Sequence, residues 1–315
     1  MKAAVVSAFE SAPRYQEFSE PEVRGEHELL VEVLAAGLHP RVRSQSDGSH
    51  YTSTGELPLV PGIDGVGRDP LGRLRYFVLP DTAFGAMAER TVIDVRRSVV
   101  LPEGTDPIAI AAGMNPAMSS WVALRKRIEF HPGQDVLILG ATGNSGQMAV
   151  RIAELLGAGA IVAAGRDPRR LETLPGLGAT ATVRLGTAEA ADELARCAAD
   201  VDVVLDYLWG APAVEALTTV LTNRADRGKP LTWIEIGSVA GPTAEIPSAA
   251  LRSARLQLVG SGQGSIGTRE YLAELPALAE AITSGTLRIE ARAVPLAEVE
   301  HAWADDAVER IVLTP

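Results

Sequence analysis

The chain of 315 residues contains a single cysteine, Cys197. A disulfide framework needs pairs, and a cysteine-rich zinc site needs several thiolates, so both are excluded. Positive charge is also scarce: 29 Lys and Arg stand against 40 Asp and Glu, a formal net charge of −11. That balance argues against nucleic acid or an anionic membrane surface as a partner of the whole chain. No apolar run approaches the ~18 residues of a membrane span. The first ten residues, MKAAVVSAFE, enter a strand pattern without the apolar core of a signal peptide. Internal repeats and low-complexity segments are lacking as well. A soluble, intracellular protein of cytoplasmic location is the expectation. Cys197 lies in an alanine-rich helical pattern and reads as a buried, inert thiol.

What is present is a long apolar framework, 46% hydrophobic and 22% charged, enough for two domains with their own cores. Its organising stretch is 135–156, DVLILGATGNSGQMAVRIAELL. A run of Val, Ile and Leu reads as a parallel strand buried on both faces. A glycine-rich turn comes next, then a helical pattern with Met148, Ile152, Leu155 and Leu156 on one face. Strand, glycine turn and helix make a phosphate-binding unit, because the N–H groups and the dipole of a helix start both favour an anion. The spacing of Gly140, Gly143 and Gly146 is G-x-x-G-x-x-G and departs from the standard G-x-G-x-x-G. Support comes from the next hundred residues. Apolar runs at 160–164, 201–205, 231–236 and 256–259 alternate with helical patterns. That is the rhythm of a doubly wound parallel sheet.

Residues 1–113 read differently. Strand patterns at 2–6, 28–35, 73–79 and 86–95 are separated by frequent Pro and Gly, which suggests a partly open barrel or sandwich. The character changes at Asn115-Pro116, and 118–127 is amphipathic and helical. Beyond the last apolar run come a helical pattern at 269–284, a strand at 287–293, a helix at 297–305 and a closing strand at 310–313. This tail brings strands but no further strand–helix–strand unit, so it is expected to return to the first domain. The division expected is 1–114, 115–260 and 261–315.

Several motifs together resemble the medium-chain dehydrogenases/reductases, specifically their zinc-free quinone oxidoreductase branch. They are AAGLHP at 35–40, LPLVPGIDGVG at 57–67, GAMAE at 85–89, HPGQDVLILGA at 131–141, GATGNSG at 140–146 and VPLAEVEHAW at 294–303. The resemblance spans nearly the whole chain. It implies an α/β protein with a GroES-like, mostly β substrate domain and a Rossmann domain, assembled as a homodimer through its sixth Rossmann strands. The departures bear on metal. Where zinc members carry a Cys, this chain has His39, and their Gly-His-Glu becomes Gly62-Ile63-Asp64. One His and one Asp fall short of the roughly three ligands that a catalytic zinc takes from protein. No metal site is expected. The resemblance further implies two places for catalytic groups. His39 either donates a hydrogen bond to a substrate oxygen or is satisfied in the cleft wall. In the loop SDGSHYTSTG, His50 or Tyr51 stands near the position of a tyrosine in related enoyl reductases. Tyr51 has the better chemistry, since a phenol O–H can serve a developing enolate.

Cofactor choice is read at the tip of the second Rossmann strand, where a carboxylate binds the ribose of NAD and an arginine accommodates the phosphate of NADP. Here the run is Gly165-Arg166-Asp167-Pro168-Arg169-Arg170. Arg166, Arg169 and Arg170 favour NADPH, because guanidinium makes forked, charge-assisted bonds to phosphate. Asp167 either caps the helix that Pro168 begins or permits NADH. The remaining cofactor candidates are Gly140, Thr142, Gly143, Asn144 and Ser145 in the first turn. Gly237 and Ser238 come after the fifth strand, and Ser261 and Gly262 after the sixth. Asn115 and Ser119 lie at the domain junction. The function expected is hydride transfer from NADPH to a small-molecule quinone or α,β-unsaturated carbonyl. Reduction of an acyl-thioester enoyl group, and a non-catalytic NADPH-binding role as sensor or crystallin-like protein, are the alternatives.

Overall fold

Residues 1–50, 53–262, 264–288, 290–305 and 309–315 are described in the computed structural model. They sort into two units, 1–115 with 272–315, and 116–271. The first unit begins with strands β1 (Lys2–Val5) and β2 (Arg14–Glu17), paired antiparallel. Its longest strand is β3 (Glu28–Gly37), in which Val31 and Val33 are buried around an exposed Glu32. That alternation is the mark of a strand with one face on a core. Pro40 stops the strand and opens the short helix α1 (Pro40–Ser46). Strands β4 (Asp64–Arg68), β5 (Leu74–Val78), β6 (Arg90–Asp94) and β7 (Ser98–Val100) come next. β4 and β6 both pair with β3, and β5 lies between β4 and β7.

Helix α2 (Pro107–Val122) starts well before the expected 118–127 and contains Pro116, after which a π-helical turn, Ala123–Arg127, ends the segment. A proline inside a helix removes one backbone bond and crowds the preceding turn. Tertiary packing overrides that cost here, because Ile110, Met114, Met118 and Trp121 are all buried. The nucleotide-type sheet then builds from β8 (Val136–Leu139), α3 (Asn144–Leu155), β9 (Ile161–Gly165), α4 (Pro168–Leu171), β10 (Ala181–Arg184), α5 (Ala190–Ala198), β11 (Val203–Asp206), α6 (Gly210–Asn223), β12 (Leu231–Glu235), α7 (Ala250–Ser253) and β13 (Leu256–Gly260). All six strands are parallel, in the order β10-β9-β8-β11-β12-β13. Every residue of β8, β9 and β11 is buried, as strands covered on both faces require. Strand β10 has no apolar run to betray it; only Val183 of its four residues is buried. Cys197 in α5 is half-buried against the core, so its thiol is less enclosed than expected.

The tail differs in detail from its pattern. The single helix expected at 269–284 is two, α8 (Thr268–Ala273) and α9 (Leu275–Thr283), with Pro276 at the start of the second. The strand expected at 287–293 lies at β14 (Ala291–Pro295), with α10 (Val299–Ala304) and β15 (Arg310–Thr314) after it. β15 runs parallel to β14 and antiparallel to β3, with Val312 opposite Gly37. The end of the chain thereby completes the seven-stranded sheet of the first unit, and Ile311 and Leu313 join its core beside Val31, Val33 and Phe77.

Candidate active site

The parallel sheet reverses its winding between β8 and β11, which are neighbours although three strands apart in the run. Ligands of such sheets bind outside the carboxyl ends of the strands at this reversal. The carboxyl end of β8 is the glycine turn. Gly140 has φ +84°, a conformation that glycine adopts without strain. A Cβ on Gly146 would stand 2.3 Å from the Gly140 carbonyl oxygen and 2.6 Å from Ala141 Cα, so close backbone packing requires glycine there. Gly143 is different. Its φ is −78°, and an added Cβ would meet only the Gly140 oxygen, at 3.5 Å. The protein itself does not need glycine at 143, whereas a ligand resting on the turn would. Gly143 is also the N-cap of α3 and supplies no side-chain cap. The first-turn N–H groups of Asn144 and Ser145 are therefore left to an incoming acceptor.

At the end of β9, Gly165 is buried, and a Cβ on it would lie 2.5 Å from Thr142 Cγ2. Arg166 and Arg169 are exposed, and neither guanidinium has a hydrogen bond or ion pair among the described residues. Asp167 faces the helix start: its Oδ1 accepts from the N–H of Arg169 at 3.0 Å and of Arg170 at 3.3 Å. Arg170 is committed elsewhere. Its Nη1 donates to the Thr142 carbonyl at 2.8 Å, so it braces the glycine turn and is not a free cation.

The other strand ends carry the remaining candidates. Gly237 is half-buried and Ser238 exposed beyond β12. Ser261 is buried, its N–H donating to the Glu235 carbonyl at 2.7 Å. The N–H of Gly262 is taken by Ser265 Oγ at 2.8 Å. Asn115 and Ser119 are both half-buried and one helical turn apart on α2, so they share a face. Tyr207, the residue after β11, joins Ser119 here and carries no motif of its own in the sequence. Its hydroxyl bonds Ser119 Oγ at 3.0 Å, and burial pushes its pKa up to about 12. Its only signal in the sequence was its place at the end of a strand adjoining the reversal.

The first unit holds His39 at 2% exposure. His39 Nε2 lies 3.0 Å from Asp64 Oδ1, while the Tyr76 hydroxyl donates to Asp64 Oδ2 at 2.8 Å. Burial lowers the His39 pKa, opposed by Asp64 and reinforced by Arg310 and Arg41. Arg310 is itself pushed down to about 10 by burial, with Asp64 opposing. A neutral imidazole has one N–H. With Asp64 accepting at Nε2, the buried Nδ1, which has no partner among the described residues, is a lone pair. In this arrangement the Nε2 edge of His39 is turned to Asp64, as a histidine satisfied within the protein would be. The side chains at the two zinc-ligand-like positions bond each other instead. Among the described residues no three His, Cys, Asp or Glu side chains gather as a metal-holding group. His50 is half-buried, its pKa lowered mainly by burial and also by Arg41. Tyr51 lies outside the described residues.

No family model matches the chain. It is similar to a probable NADPH-dependent quinone reductase of Emericella nidulans, 30% identical over 359 aligned positions that span 100% of both chains. It is also 29% identical over 175 positions to a chloroplastic NADPH-dependent alkenal/one oxidoreductase of Arabidopsis thaliana, covering 50% of this chain and 45% of that protein. Among solved structures it matches the quinone oxidoreductase of Thermus thermophilus, described together with its NADPH complex. The TM-score is 0.81, with 26% identity and 100% of both chains covered.

Proposed function

The chain belongs to the quinone oxidoreductases of the medium-chain dehydrogenase/reductase superfamily, and we propose that it uses NADPH to reduce a quinone or an α,β-unsaturated carbonyl. The observation that carries this reading is the uncapped start of α3 at Gly143, where an added Cβ would meet only the Gly140 oxygen at 3.5 Å, with Arg166 and Arg169, which have no hydrogen bond or ion pair among the described residues, beyond the next strand. A pyrophosphate suits the first, and a ribose 2′-phosphate suits the second. When bound, the dihydronicotinamide supplies the hydride. The chain's own residues do the rest. Asn144 and Ser145 offer N–H groups to phosphate oxygens, Arg170 holds the turn in shape through Thr142, and Arg166 reads the 2′-phosphate. Asn115, Ser119, Gly237, Ser238 and Ser261 border the nicotinamide end. Tyr51 is the group proposed to stabilise the oxyanion that develops on the substrate, because the His39 N–H is engaged by Asp64.

A panel of quinones and enones tests the reading by NADPH oxidation. Turnover with at least one acceptor is expected, at a rate that chelator leaves unchanged and with no stoichiometric zinc in the purified protein. Tight NADPH binding without turnover on any acceptor would leave the non-catalytic alternative. One zinc per chain, with activity lost to chelator, would overturn the metal-free part alone.

We also propose a homodimer formed through β13. That strand is the edge of the parallel sheet, and Leu256, Leu258 and Val259 on it are only half-buried. Nearby, Leu251 on α7 is 53% exposed. An apolar, unpaired edge is a liability that a two-fold partner removes. Light scattering at micromolar concentration should give twice the 33.2 kDa chain mass; a monomeric mass would count against the pairing. No helix among the described residues is long and apolar enough to cross a membrane, and a cytoplasmic location is proposed with the cofactor.

A further inference from the structure

The turn after β11 is held more firmly than a connection requires. Asp206, fully buried, accepts at Oδ1 from the N–H groups of Leu208 and Trp209, at 2.8 and 3.0 Å. Its Oδ2 accepts from Trp233 Nε1 at 3.0 Å. Trp209 sits at φ +52°, rare for a residue with a bulky side chain. Backbone strain of this kind persists only where the surroundings over-determine it, and such places cluster at functional sites.

The residue so placed is Tyr207. Its N–H donates to the Leu139 carbonyl at 3.1 Å, tying it to the end of β8. A Cβ built on Gly140 would lie 3.2 Å from Tyr207 Cβ, and one built on Gly237 would lie 3.4 Å from its carbonyl oxygen. Tyr207 thus stands between the glycine ends of β8 and β12, at the reversal of the sheet. Its hydroxyl is 3.0 Å from Ser119 Oγ, and Ser119 Oγ donates to the Pro116 carbonyl at 2.9 Å. A serine hydroxyl has one proton. With that proton on Pro116, Tyr207 is the donor of the pair, and its own oxygen keeps lone pairs to accept. The pKa of about 12 keeps the phenol protonated in this role.

The two halves of a dinucleotide fall on opposite sides of the reversal. The adenosine ribose is read at the tip of β9, on the far side of β8 from β11. The β11 side is left for the nicotinamide half. We infer that Tyr207 and Ser119 form a hydroxyl pair that positions the nicotinamide half of the cofactor, with Tyr207 fixing Ser119 as a positioning residue. This rests on the nucleotide reading above.

The test compares two ligands, NADPH and 2′,5′-ADP; the second carries the adenosine half and its 2′-phosphate but no nicotinamide. Tyr207→Phe removes one hydroxyl and keeps the ring. It should weaken NADPH by about 3- to 10-fold, the range of one hydrogen bond, and leave 2′,5′-ADP unchanged. Ser119→Ala should do the same, and the double variant should lose little more, since the two hydroxyls act as one unit. Unchanged NADPH affinity in both single variants overturns the inference alone, as does parallel weakening of both ligands, which marks a structural role. Wild-type protein that binds neither ligand overturns the nucleotide reading, and this inference with it.

Discussion

Arg166→Ala should weaken NADPH binding by about one to two orders of magnitude and leave NADH binding nearly unchanged. A charge-assisted hydrogen bond is typically worth ~1.5–3 kcal/mol, and each ~1.4 kcal/mol is tenfold in affinity. The side chain is exposed and has no hydrogen bond or ion pair among the described residues, so its removal orphans nothing and should not move the melting temperature. Because the site is open to solvent, the loss should shrink as salt rises. Arg169→Ala should act in the same direction but less, being one turn farther from the strand tip. Arg170→Ala should behave differently: it leaves the Thr142 carbonyl with only the longer 3.3 Å bond from Gln147 Nε2, loosens the glycine turn and weakens both nucleotides alike. Calorimetric titration of NADPH and NADH against the three variants checks this pattern. Equal weakening of both nucleotides by Arg166→Ala would show that Arg166 supports the turn. Tighter binding of NADH than NADPH by the wild type would shift the ribose-reading role to Asp167, despite its capping bonds.

The second large effect separates two glycines of one motif. Gly146→Ala places a methyl 2.3 Å from the Gly140 oxygen and against Ala141 Cα, all backbone. The turn has little freedom to yield, because the N–H groups of Gly140 and Ala141 both bond the Ala164 carbonyl at 2.9 Å. Overpacking of this kind costs ~1–3 kcal/mol or more, and a domain of this size loses ~2–4 °C per kcal/mol. The variant should therefore melt several degrees lower and bind NADPH poorly. Gly143→Ala should keep the wild-type melting temperature, since its Cβ meets nothing nearer than 3.5 Å and its φ suits alanine. It should nevertheless bind NADPH at least tenfold more weakly, because the methyl takes space that the phosphate needs. Thermal melts beside NADPH titrations decide the matter. Normal affinity in Gly143→Ala would mean that the phosphate does not rest on this turn. An unperturbed melt in Gly146→Ala would mean that helix and strand have more room than their spacing allows.

The sequence by itself determined what is local. A parallel strand covered on both faces must be apolar at every position, so β8, β9 and β11 stood out as runs. Gly140 and Gly146 marked a turn whose φ and close packing admit no side chain. Arg166 directly follows the end of β9, and Pro168 set the start of α4. Other features depend on residues that only the fold brings together. The capping role of Asp167 shows only in the fold, where the N–H groups of Arg169 and Arg170 lie on its carboxylate. His39 meets Asp64 from 25 positions away, a pairing that no local pattern announces. Pro116 ends a helix by its own chemistry, yet lies inside α2 because burial of the surrounding side chains outweighs one lost backbone bond. Tyr207 and Ser119 are 88 positions apart. Nothing in either segment foretells their bond, because a hydrogen bond has direction and reach but no period along the chain, and only the fold brings the two hydroxyls within 3.0 Å.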